Sequence, residues 1–141
     1  MEKSDAVSFT SSHFKVEPNE DEKTNPGIYG QALAHWIADQ LRAKEVVPED
    51  WGWCVIVKTK PVRLNVAISN VEGSSTRWRI FAFAERGLLQ LLKDGSELKR
   101  EVATLREQLA AIVETAPDVR DISWEDLGGP SSGKASRSGA S

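Results

Sequence analysis

Hydrophobic and polar positions follow two rhythms along the chain. Tyr29, Leu33, Trp36, Ile37 and Leu41 recur at helical spacing on one face, which predicts a first amphipathic helix. Asn25-Pro26 gives a helix-start signal, because Asn accepts a hydrogen bond from a free first-turn amide and Pro has no amide needing a partner. Val46-Val47-Pro48 should stop this helix, since the residue before Pro is pushed to extended geometry. The rhythm then shortens. Val62, Leu64, Val66 and Ile68 alternate with Arg63, Asn65, Ala67 and Ser69, the period of two of a strand with one buried face.

Two more strand-like runs flank this one, residues 53–58 and 77–84, separated from it by Lys60-Pro61 and by Glu72-Gly73-Ser74-Ser75. Connections this short predict an antiparallel meander. The Leu88, Leu89, Leu91 and Leu92 cluster predicts a short helix or apolar lid. Asp94-Gly95-Ser96-Glu97 reads as a capping box opening a second helix. Leu98, Val102, Leu105, Leu109 and Ile112 form its inner stripe, and Pro117 lies beyond its end. That stripe spans too few heptads to indicate a coiled coil. Weaker strands are expected at 7–16 and 119–124.

Helices and strands need a shared interior, and both helices on one face of a sheet provide it. The expected fold is therefore α+β: a two-layer sandwich with an antiparallel sheet of three to five strands and two long helices on one face. Residues 1–24 are expected to hold an N-terminal strand and an acidic linker, Glu17-Pro18-Asn19-Glu20-Asp21-Glu22. Residues 25–127 are expected to form one domain, and the Gly/Ser-rich residues 128–141 a disordered tail.

Composition narrows the functional classes. With 141 residues, 40% hydrophobic and 28% charged, the chain suits one globular domain. A formal charge of -3, more negative without Lys134 and Arg137 of the tail, disfavours nucleic acid as a partner. An RNA-recognition segment is also lacking. No apolar run is long enough for a membrane span, the N-terminus has no secretion signal, and a single cysteine fits a reducing compartment, so a cytoplasmic location is expected.

Candidate chemistry is sparse. His13, His35 and Cys54 lack metal-ligand spacing, so no metal or other cofactor is expected. Cys54, beside Trp53 in a strand, reads as a small buried residue rather than a nucleophile. Gly128 through Lys134 matches a phosphate-binding loop in outline, but Ala135 replaces the required hydroxyl and no strand precedes it. Carboxylate pairs such as Glu49/Asp50 and Asp121/Glu125 are too ordinary to nominate a glycosidase. The chain is accordingly expected not to be an enzyme.

What remains is a surface. Trp53 shares its register with Val55 and Val57 and belongs to the core, whereas Trp51 sits in the loop Glu49-Asp50-Trp51-Gly52. Arg63, Asn65, Arg77 and Arg79 share the strand face opposite the helices, with Phe81 and Phe83 as apolar ground. Trp and Arg are enriched among interface hot spots. Glu49, Asp50, Trp51, Arg63, Arg77 and Arg79 are therefore the candidate partner-binding residues. The expected function is a protein-binding module, immunity-like or inhibitor-like, existing as monomer or homodimer. The alternative is a small-molecule-binding regulatory domain with Trp78, Phe81 and Phe83 near a pocket under residues 88–92.

Asn25-Pro26-Gly27, Tyr29-Gly30-Gln31-Ala32-Leu33-Ala34, Pro48-Glu49-Asp50-Trp51-Gly52-Trp53 and Trp78-Arg79-Ile80-Phe81 together resemble a family of small bacterial single-domain proteins of uncharacterised function. The resemblance spans roughly residues 7–125, and the Asp-Trp-Gly-Trp segment is its most distinctive part. It implies a bacterial single-domain protein and carries no catalytic or binding assignment.

Overall fold

The computed structural model describes residues 2–85 and 95–127. Among these residues seven antiparallel strands form one sheet: Glu2–Lys3 (β1), Ala6–Thr10 (β2), Glu45–Glu49 (β3), Gly52–Lys58 (β4), Arg63–Asn70 (β5), Arg77–Glu85 (β6) and Arg120–Glu125 (β7). Its order is β3-β4-β5-β6-β2-β7, with β1 pairing β6 alongside β2. Two α-helices accompany it among the described residues, Gln31–Leu41 (α1) and Ser96–Glu114 (α2).

This corrects the expected two-layer sandwich of three to five strands with two long helices. Among the described residues the sheet has seven strands, and strand (36%) outweighs helix (28%). Of the two α-helices among the described residues, α2 is long at 19 residues and α1 has 11. The discrepancy has a local origin in Val46-Val47-Pro48, which does not terminate a helix but lies within β3. Helix α1 has already ended at Leu41, where Arg42 takes a left-handed conformation (φ 57°). Pro48 has no amide to donate, which suits β3 to the edge of the sheet.

The start of α1 also lies later than Asn25-Pro26. The Asn25 side chain is turned away, its Nδ2 donating to the Asp50 carbonyl at 3.1 Å. Instead, Glu20 supplies the helix cap from the acidic segment. Its carboxylate is 3% exposed and accepts from the amides of Gly30 (2.8 Å) and Gln31 (3.0 Å), while its other oxygen accepts from the Glu17 amide (3.0 Å). A negative charge at a helix N-terminus satisfies amides that the helix itself leaves free.

One face of the sheet carries the main core. Val7, Phe9, Trp53, Val55, Leu64, Val66, Ile68, Trp78 and Ile80 pack there against Leu33 and Ile37 of α1 and Leu98, Val102, Leu105, Leu109 and Val113 of α2. The stripe expected for α2 is present, with Val113 rather than Ile112 as its last fully buried member. Trp78 is 1% exposed and donates its indole N–H to the Ser11 carbonyl at 3.0 Å. The 88–92 leucine cluster, Asp94 and the 128–141 tail lie outside the described residues. Among the described residues no helix is long and apolar enough to cross a membrane.

Candidate functional site

The opposite sheet face has no helix on it among the described residues, and strand register dictates its relief. Val47, Cys54, Ala67 and Phe81 stand in one row across β3 to β6; Glu45, Ile56, Asn65 and Phe83 stand in the next. Cys54 and Ala67 are the small members at the middle of the first row, so the surface sinks there. The depression is a hollow of about 370 Å³ lined by Glu49, Trp51, Cys54, Arg63, Ala67, Phe81, Phe83 and Glu85.

Trp51 reaches this hollow from the tight turn between β3 and β4. Gly52 makes the turn possible: its φ is 151°, and a Cβ there would run into the Ile68 carbonyl oxygen and Ser69 Cβ. With the backbone pressed that closely against β5, the Trp51 ring lies edge-on to Phe83, with centroids 6.3 Å apart. Phe83 in turn meets Phe81 at 6.0 Å. Trp51 is nonetheless 44% exposed, whereas Trp53, two residues on, is buried in the main core.

The charges are unevenly matched. Among the described residues, Glu49 and Glu85 have no ion-pair partner within 4.0 Å. Arg63 donates from Nε to the Asn65 Oδ1 at a long 3.4 Å. Asn65 is fully buried, and its Nδ2 has no partner among the described residues. At the floor, the Cys54 thiol is pushed up to about 11, first by burial and then by Glu49, with Arg63 opposing and Glu85 and Glu45 adding to the rise. The thiol is therefore protonated at neutral pH and a poor nucleophile.

The six sequence-nominated binding residues divide into three groups. Glu49, Trp51 and Arg63 line the hollow. Asp50 is exposed on the turn behind Trp51, and its carbonyl holds Asn25. Arg77 and Arg79 lie on the same sheet face, towards β2 and β7. Arg77 donates to Thr10 Oγ1 (3.1 Å), the Asp121 carbonyl (2.7 Å) and Ser123 Oγ (3.3 Å), and Arg79 faces Glu125 at 3.8 Å. Of the alternative aromatic trio, Phe81 and Phe83 line the hollow and Trp78 lies in the core. Sequence reasoning missed Ala67 and Glu85, and took Cys54 only as a buried residue. Their roles depend on cross-strand register, which a single strand's alternation does not reveal.

A second polar cluster joins the end of β2 to the turn before β7. Asp118 accepts from both the hydroxyl and the amide of Ser12, which hold its carboxyl below the usual range; His13 packs edge-on against Phe14. The carboxylate contacts the serine rather than the histidine, so no relay of the serine-hydrolase type is formed. Among the described residues no group of three or more His, Cys, Asp or Glu is placed to hold a metal ion. No protein-family model, curated protein or solved structure matches the chain.

Proposed function

We propose that this protein is a non-enzymatic binding module of the bacterial cytoplasm that docks a segment of another protein on the helix-free face of its sheet. It would act by covering part of its partner, as inhibitors and immunity proteins do. One observation carries the reading: an exposed tryptophan stands over a largely apolar hollow whose rim carboxylates have no ion-pair partner among the described residues. Large aromatics that fill such depressions commonly anchor protein interfaces.

The test is selection of a displayed random-peptide library on the immobilised protein. Enriched peptides should lose binding to Trp51→Ala while that variant keeps its melting temperature. No enrichment, or full binding by Trp51→Ala, overturns the reading. A small-molecule-binding regulatory domain is the second reading, favoured by the hollow's volume of about 370 Å³, near the lower end of small-ligand pockets. A rise in melting temperature with one member of a metabolite panel would favour that alternative.

A further inference from the structure

Aromatic rings and two carboxylates without an ion-pair partner among the described residues surround one depression, a setting that suits a cation with an apolar stem. We propose that the hollow receives the charged end of an arginine or lysine side chain from the partner protein, with Trp51, Phe81 and Phe83 as aromatic walls and Glu49 and Glu85 as counter-charges. This rests on the docking reading above and gives that surface its chemistry.

Three features support the assignment. The rings of Trp51, Phe81 and Phe83 pack on one another at centroid distances of 6.3 and 6.0 Å, and together with Cys54 and Ala67 they line a hollow of about 370 Å³, a volume that can take a methylene stem. Aromatic faces attract cations, and Trp does so most strongly. Among the described residues the charged lining comprises Glu49 and Glu85 against Arg63. At the floor, the influence of Glu49 on Cys54 exceeds that of Arg63, and Glu85 and Glu45 act in the same direction as Glu49.

Elsewhere on the face Arg77 is occupied by three oxygen acceptors, and Arg79 lies 3.8 Å from Glu125 through Nη2 while its Nε has no partner among the described residues. The overall charge of -3 also favours approach by a basic surface.

The experiment uses the full chain, isotopically labelled, titrated with blocked glycine-flanked peptides containing one arginine, one lysine, one citrulline or one norleucine. Backbone amide shifts at Trp51, Arg63, Phe81 and Phe83 provide the readout. The arginine and lysine peptides should shift these amides, and their neutral counterparts should bind about tenfold more weakly or not at all. Glu49→Gln and Glu85→Gln should each weaken the basic peptides, and Arg63→Ala should strengthen them by removing the competing cation.

Equal shifts from citrulline and arginine peptides would overturn the proposal, as would weaker binding by Arg63→Ala or no response at millimolar peptide. The wild-type comparison needs no variant to fold. A displayed library that enriches Trp51-dependent peptides without arginine or lysine would sink the charge assignment and leave the docking surface standing. A library that enriches nothing would sink both.

Discussion

The guanidinium of Arg106 lies 3.6 Å from the centroid of the Trp124 ring and stacks α2 onto β7. The same group grips Asp5 through Nε at 2.9 Å and Nη2 at 3.2 Å. One side chain thus ties the long helix, the link between β1 and β2, and the last strand.

Arg106→Ala should lower unfolding free energy by about 1–2 kcal/mol, the partial exposure of the pair keeping the loss modest. Arg106→Lys should recover only part of it, because an ammonium lacks the planar fork that both stacks and pairs. Urea unfolding of the three proteins checks this. Equal stability of Arg106→Lys and wild type would mean that the stack contributes nothing.

Removing the buried cap should be more costly than its place in an acidic, Pro-containing segment suggests. Glu20→Ala leaves the amides of Gly30 and Gln31 without their acceptor, and a loss of about 1–3 kcal/mol is expected. Hydrogen exchange should report it locally, as faster exchange in the first turn of α1. Glu22→Ala, which changes an exposed neighbour, is the control.

Gly52→Ala should be among the most damaging single-methyl changes in the molecule. The backbone at φ 151° is closed to L side chains, and the added carbon meets β5 backbone rather than a side chain that can rotate away. A loss of more than about 3 kcal/mol is expected, by the mechanism of strain at a special backbone conformation. Thermal unfolding measures it, with Gly73→Ala as comparison, where a methyl meets nothing within 4 Å.

Cys54 should be sluggish towards iodoacetamide at pH 7, with the native-state rate rising as pH approaches about 11. Because the folded thiol titrates above the unfolded value of about 8.5, its contribution to stability is full below that value and is lost as pH rises through about 11. Glu49→Gln should shift the rate profile to lower pH. An unshifted profile would remove Glu49 from the field that acts on the floor of the hollow.

The strand at 62–69 and α2 were legible because each carries its own period, and the runs at 53–58 and 77–84 because turn residues separate them from it. Trp53 was separable from Trp51 on the same basis: one keeps step with Val55 and Val57, the other falls in a turn. The edge strand Glu45–Glu49 was not legible, because Pro48 resembles a helix terminator when its pairing with Trp53 is unseen. Nor was the hollow. Its floor combines Cys54 and Ala67 from different strands, and its relief comes from the larger residues in neighbouring register positions. Glu20 was hidden for another reason: an acidic run resembles a solvated linker until a helix terminus is brought to it.

The placement of β2 between β6 and β7 has a consequence for synthesis on the ribosome. The first long strand made must wait without its sheet neighbours until the meander behind it has been translated as far as Arg77 to Ile80, the residues it pairs with. β7 then docks against β2, its one sheet neighbour among the described residues. The meander is the part whose contacts are local and quick to form, whereas this half of the sheet requires distant parts of the chain to meet. Val7 and Phe9 can therefore enter the sheet only after the meander has been made, through pairings of long sequence separation.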